Sequence, residues 1–131
     1  MKSYVSVLRV SFFFVMMLSL AALACSVSDS STTAGDFMTA LKGNDYAKAY
    51  DLCGADLQKE LGSAQGLQKF VESGNFQPTS WNFSSTNVNN DRAEVSGEAV
   101  VGSDNRTITT TFVLSNASGS WKVIGINFAK K

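Results

Sequence analysis

At 131 residues, with a single proline and no histidine, the chain has room for one domain. Its formal charge is zero, but Lys2 and Arg9 lie at the very start; from residue 25 onward nine basic residues face eleven acidic ones, a charge near −2. A mildly acidic domain lacks the clustered Lys and Arg that displace counterions from phosphates, which argues against nucleic acid as a partner.

Residues 1–9 form a short cationic start, Val10–Leu23 is almost wholly apolar, and Ala24-Cys25 follows. This is the order of a secretory signal, and its apolar run is shorter than the ~20 residues that a membrane span needs. Ala22-Leu23-Ala24-Cys25 resembles the lipobox of bacterial lipoproteins, with Ala22 at the place usually held by leucine. The resemblance implies that residues 1–24 are a signal peptide and that Cys25 carries lipid. The partner it implies is a bacterial membrane, with the mature chain extracytoplasmic. The Ser/Thr-rich stretch after it has little to bury, so residues 25–35 read as a lipidated flexible tether. The domain then runs over 36–131. With Cys25 acylated, Cys53 has no intrachain partner and reads as a small buried hydrophobe.

Asp36 is placed to cap a first helix in which Phe37, Ala40 and Leu41 share a face. Gly43-Asn44 ends it, and Asn44 or Asp45 can cap a second helix with a stripe of Tyr46, Ala49, Tyr50 and Cys53. Gly54 closes that helix, and Ala55–Leu61 adds a turn or two. Ser63 starts another helix whose face holds Leu67, Phe70 and Val71, and Gly74-Asn75 stops it. Beyond Pro78 the pattern changes to strands: one from Trp81, then 92–101, 106–115 and 120–129, separated by short polar turns. Adjacent strands with short turns predict an antiparallel meander, and helices followed by strands predict an α+β fold with the helices on one face of the sheet.

Phe37-Met38-Thr39-Ala40-Leu41-Lys42-Gly43-Asn44-Asp45-Tyr46-Ala47-Lys48-Ala49-Tyr50 is similar to the opening of nuclear-transport-factor-2-like (NTF2-like) domains, and Gly119–Ile124 resembles their closing hairpin. The resemblance spans about 36–129 and implies a cone, in which a curved antiparallel sheet of four or slightly more strands wraps around N-terminal helices. It implies a pocket at the open end and no particular activity.

Enzymes of that superfamily place an Asp–His pair or a Tyr–Asp oxyanion arrangement in the pocket, and the absence of histidine removes the first. The second leaves an isomerase or cyclase as the enzymatic alternative, with Tyr46, Tyr50 and Asp51 close on one helix. Glu94 and Glu98 share a strand face opposite Val95 and Ala99, so they point to solvent if those two face the core. No histidine, no Asp-rich calcium loop and no glycine-rich phosphate loop is present, so no metal and no cofactor is expected. Tyr46, Tyr50, Trp81, Phe83 and Trp121 are the candidate lining of an apolar pocket. The expected function is therefore a non-catalytic binding domain for a small molecule or an envelope protein. The alternative is a homodimerising interaction module that uses the Thr-rich strand 106–115.

Overall fold

The computed structural model describes residues 29–131. The expected signal peptide and the expected lipidation site Cys25 lie outside the described residues. Helix α1 covers 29–42, followed by α2 (Tyr46–Asp51), α3 (Ala55–Leu61) and α4 (Ala64–Gly74). Strands β1 (Pro78–Asn89), β2 (Arg92–Val101), β3 (Arg106–Ser115) and β4 (Lys122–Lys130) complete the chain.

The first helix is longer than its sequence suggests. Asp36 sits exposed within α1 instead of capping it, and the stretch 29–35, expected to be tether, is helical. Ser and Thr are weak helix formers, so packing decides here. Ser30, Ala34, Phe37, Met38 and Leu41 are all fully buried, and they recur at helical spacing. The Thr33 and Thr39 hydroxyls donate to the carbonyls four residues back, at 2.9 and 2.8 Å. Asn44 ends the helix in the left-handed region (φ 57°), the amide of Asp45 reaching back to the Ala40 carbonyl at 2.8 Å.

The remaining caps fall where the sequence places them. Asp45 accepts from the Lys48 amide at 3.2 Å and starts α2, while Ser63 accepts from the Gly66 amide at 3.2 Å and starts α4. Asn75, in the αL conformation, closes α4. Between α2 and α3 the chain leaves the helix to run alongside β4. The Val123 amide donates to the Leu52 carbonyl at 2.8 Å, and the Gly54 amide donates to the Val123 carbonyl at 2.7 Å. Gly54 suits this approach, because a Cβ there would meet Ile124 Cγ2 at 2.9 Å.

The four strands form one antiparallel sheet in the order β1-β2-β3-β4. β1 starts at Pro78, earlier than the Trp81 expected, and proline is tolerated there as the first residue of an edge strand. Register pairs Trp81 with Ala99 and Ala99 with Ile108, then Phe83 with Gly97 and Gly97 with Thr110, and Thr110 with Phe128. One row further, Val95 faces Phe112, which faces Ile126. These rows form the inner face. Ala93, Val95, Ala99, Val101, Ile108, Phe112 and Leu114 on it are buried against the helices. Register shifts between Phe83 and Ser85 and at Val113/Leu114 bend β1 and the β3–β4 pair.

One clasp ties the C-terminus of α4 to the β2–β3 turn. The Arg106 guanidinium donates to the carbonyls of Gly74 and Asn75, supplying partners for carbonyls that the helix end leaves open. It also pairs with Asp104 at 3.5 Å and lies 5.5 Å from the centroid of the Phe76 ring.

Candidate functional site

The five aromatic residues singled out in the sequence fall in separate places. Tyr46 is buried on α2, its hydroxyl donating to Asn44 Oδ1 at 3.4 Å. Burial, and secondarily the Glu72 carboxylate, push its phenol above the ordinary tyrosine value. Tyr50 donates to the Gln58 carbonyl at 3.1 Å, and Gln58 Nε2 donates back to the Tyr50 carbonyl at 2.9 Å. That reciprocal pair pins α2 to α3. Phe83 stands edge-on to Phe112 with centroids 5.9 Å apart, and Trp121 is buried just before β4. Trp81 is half-buried at the end of the inner face and borders a depression of about 260 Å³ with Ser80, Glu98 and Thr107.

Further depressions lie elsewhere among the described residues. One of about 370 Å³ is framed by Asp51, Gly54, Gln58, Ser115 and Lys122, with the Lys122 ammonium donating to the Asp51 carbonyl at 2.9 Å. Another, about 400 Å³, lies at the β1–β2 turn between Asn87, Asn89, Arg92, Glu94 and Val113.

Another, about 340 Å³, is lined mainly by apolar residues, Leu57, Leu61, Phe70, Ile124 and Ile126, with Glu60 beside them. It runs between α3, α4 and β4. Phe70 is the large hydrophobic side chain left exposed among the described residues, at 40 %. The sequence pattern places Phe70 on the buried stripe of its helix with Leu67 and Val71. Those two are fully buried, whereas Phe70 lies at the edge of the stripe. It stacks on Phe128 with centroids 6.2 Å apart and sits 5.8 Å from Phe76. A helix stripe three or four residues wide does not mark which member overhangs the sheet edge, so sequence patterning misses this residue.

The chemically active side chains are engaged or solvated. The Cys53 thiol is buried and donates to the Ala49 carbonyl at 3.4 Å. Burial pushes it up to about 12, against a smaller opposing pull from Lys122, so it stays protonated at neutral pH. Glu94 and Glu98 are exposed on the outer face, and Glu98 pairs with the Lys131 ammonium. Among the described residues no group of three or more His, Cys, Asp or Glu side chains gathers to hold a metal ion.

With this geometry in view, comparison with known proteins places the chain. A family model described as "Domain of unknown function (DUF4864)" matches residues 32–131. The chain belongs to the DUF4864 family. No curated protein matches it significantly. Among solved structures, the DUF4864 chain is similar to a Campylobacter jejuni protein described as an NTF2-like transpeptidase. The two share 14 % identity and a TM-score of 0.54, covering 72 % of this chain and 96 % of that one. Such a likeness establishes the fold, and the DUF4864 domain is NTF2-like: four helices packed on an open four-stranded antiparallel sheet.

Proposed function

We propose that this DUF4864 protein is an extracytoplasmic lipoprotein, anchored through Cys25, whose NTF2-like domain binds a small apolar molecule without catalysing a reaction. The observation that carries the binding reading is the apolar depression at the edge of β4. Its volume of about 340 Å³ falls at the lower end of small-molecule sites, and Leu57, Leu61, Ile124 and Ile126 line it together with the exposed Phe70 ring. Exposed phenylalanine in a concave apolar setting is costly in water and gains from being covered. The anchoring part is supported by the order of residues 1–25, ending in Ala22-Leu23-Ala24-Cys25.

The non-catalytic part is supported by how the polar groups are used. The hydroxyls of Tyr46 and Tyr50 are bonded to near neighbours, Cys53 is held protonated, and Glu94 and Glu98 face solvent. Native mass spectrometry of residues 26–131, purified gently and then titrated with anilinonaphthalene sulfonate, tests the binding site. The expected result is a one-to-one adduct that weakens at least tenfold in Phe70→Ser. Equal binding by that variant would move the site away from β4.

A second reading, a homodimer, rests on the outer face of the sheet. There Thr107, Thr109 and Thr111 of β3 stand beside Ser96 of β2 and Asn127 of β4, a hydroxyl- and amide-rich patch in which Glu98, opposite Thr109, is the charged neighbour. Sedimentation of residues 26–131 decides it: a dimer that Thr109→Arg converts to monomer supports pairing through this face, and a monomer throughout removes it.

A further inference from the structure

We propose that the domain sits on its membrane in one orientation, with the β1–β2 and β3–β4 turns against the phospholipid headgroups and the β2–β3 turn pointing away. This rests on the lipid anchor at Cys25, and deepens that reading by assigning the lipid surface a specific face of the domain.

The argument begins with the direction of α1. Its C-terminal end is held near the β2–β3 turn: Gln77 Nε2 donates to the Lys42 carbonyl at 3.4 Å and to Asn44 Oδ1 at 2.8 Å. Gln77 in turn accepts from the Gly102 amide at 2.9 Å. From there α1 runs back under the sheet. Phe37 packs edge-on against Phe112, with centroids 5.6 Å apart. Phe112 lies three residues before the end of β3 at Ser115, a distance of about 10 Å along the strand. From Phe37 to residue 29 the helix continues for eight residues, about 12 Å. The start of α1 therefore comes level with the β1–β2 and β3–β4 turns. Ala34, five residues after the start of the described helix, is fully buried in the core, which ties this part of α1 to the fold.

Only four residue steps separate residue 29 from Cys25, which limits the reach to at most ~14 Å even when fully extended. The far end of the ten-residue strand β3 lies ~30 Å beyond those turns. A lipid on Cys25 can thus bring the near end to the headgroups but leaves the far end unable to reach them without turning the whole domain over.

The chemistry of the near end suits an interface of phosphoesters and water. The exposed residues Asn87, Asn89 and Asn90 stand beside Asp91 and Arg92, and Ala117–Ser120 is an exposed polar turn. Amides and hydroxyls there can hydrogen-bond headgroup oxygens, and the adjacent Asp91 and Arg92 leave the turn near neutral. The orientation should therefore depend little on the charge of the lipid.

The test uses the full chain, processed in a bacterial host and reconstituted in phosphatidylcholine vesicles carrying a spin-labelled headgroup as quencher. A fluorophore is placed at Asn89→Cys, Ser118→Cys or Ser103→Cys in separate proteins; Cys53 is buried and held protonated, so it does not compete for the label. The acyl mass on Cys25 is read first. Quenching several-fold stronger at positions 89 and 118 than at 103 is the expected result. Equal quenching at all three, or stronger quenching at 103, overturns the orientation. Inserting a twenty-residue Gly-Ser linker after Ser28 should erase the difference; if the difference persists, the short connection is not its cause and the argument fails. A mature chain lacking acyl mass overturns the anchor itself, which separates that failure from a failure of orientation.

Discussion

The inner and outer faces of the sheet are made by the same four strands, residue beside residue, yet they behave as different materials. On β2 the alternation is complete: Ala93, Val95, Gly97, Ala99 and Val101 are buried, while Glu94 and Glu98 between them are exposed. On β3, Ile108, Phe112 and Leu114 are fully buried and Thr107 and Thr109 are open. The inner face is where burial stabilises the fold, and its side chains have no freedom to change size. The outer face tolerates change because water already surrounds it. Function that needs variation therefore belongs on the outer face, at the turns or at the sheet edge, not among the inner rows.

The largest effect that sharpens this contrast is expected at Phe112, the fully buried ring that contacts Phe37, Phe83 and Phe128. Phe112→Ala should cost about 3–5 kcal/mol in urea unfolding, because three aromatic partners lose their contact and a cavity remains. Gly97 tests the same face from the opposite side. A Cβ there would run into the Asn82 carbonyl oxygen and lie 2.7 Å from Phe83 Cα, so β1 must move. Gly97→Ala should cost about 2–3 kcal/mol and shift the amide resonances of Asn82 and Phe83.

Cys53 supplies a pH test. Its thiol is raised from 9.0 in the unfolded chain to about 12 in the fold, so the folded state keeps a proton that the unfolded state gives up. The associated stability is fully present below pH 9 and is lost progressively as pH rises towards 12. Chemical denaturation at pH 8 and pH 10.5 should show a steeper decline for the natural chain than for Cys53→Ala, which removes this contribution while leaving the lysines in place. An identical decline in both would mean that the thiol is not buried as described.

A smaller effect of opposite sign is expected at Thr110. Its hydroxyl is fully buried on the inner face with no hydrogen-bond partner among the described residues. Thr110→Val keeps the shape, removes the unpaired group and should raise stability by about 1 kcal/mol. The smallest change belongs to the outer face: Thr109→Ser should alter the unfolding free energy by less than about 0.5 kcal/mol. A large loss there would show that the outer face is packed against something, and would favour the homodimer.

How far the molecule is legible from its residues differs by element. Strands β2 and β3 coincide with the expected 92–101 and 106–115, since alternation with period two and polar turns at both ends leave one register that buries the apolar side. Caps at Asp45, Ser63 and Asn75 are equally local, because a single side chain or a left-handed residue satisfies the helix end. The first helix is different. Nothing in Ser30-Ser31-Thr32-Thr33 favours a helix, and the helix is held by Ala34, Phe37, Met38 and Leu41, which belong to the buried core. The local engagement of the candidate tyrosines is also a tertiary matter. Tyr46 and Tyr50 do lie on the inner stripe of α2, but their hydroxyls find partners within a few residues, at Asn44 and Gln58. Phe70, by contrast, belongs to the same helical stripe as Leu67 and is left open only because α4 reaches the edge of the sheet beside β4.

By itself, then, the sequence determined the α+β class, the antiparallel order of the strands, the positions of most caps and, on β2, which residues share a face. These depend on periodicity and on local hydrogen bonds, which act over a few residues. Only the tertiary structure decided that residues 29–35 are helical and that Phe70 is exposed in an apolar depression. Each of those depends on which distant surfaces meet, and burial by a distant surface leaves no mark in the local spacing of residues.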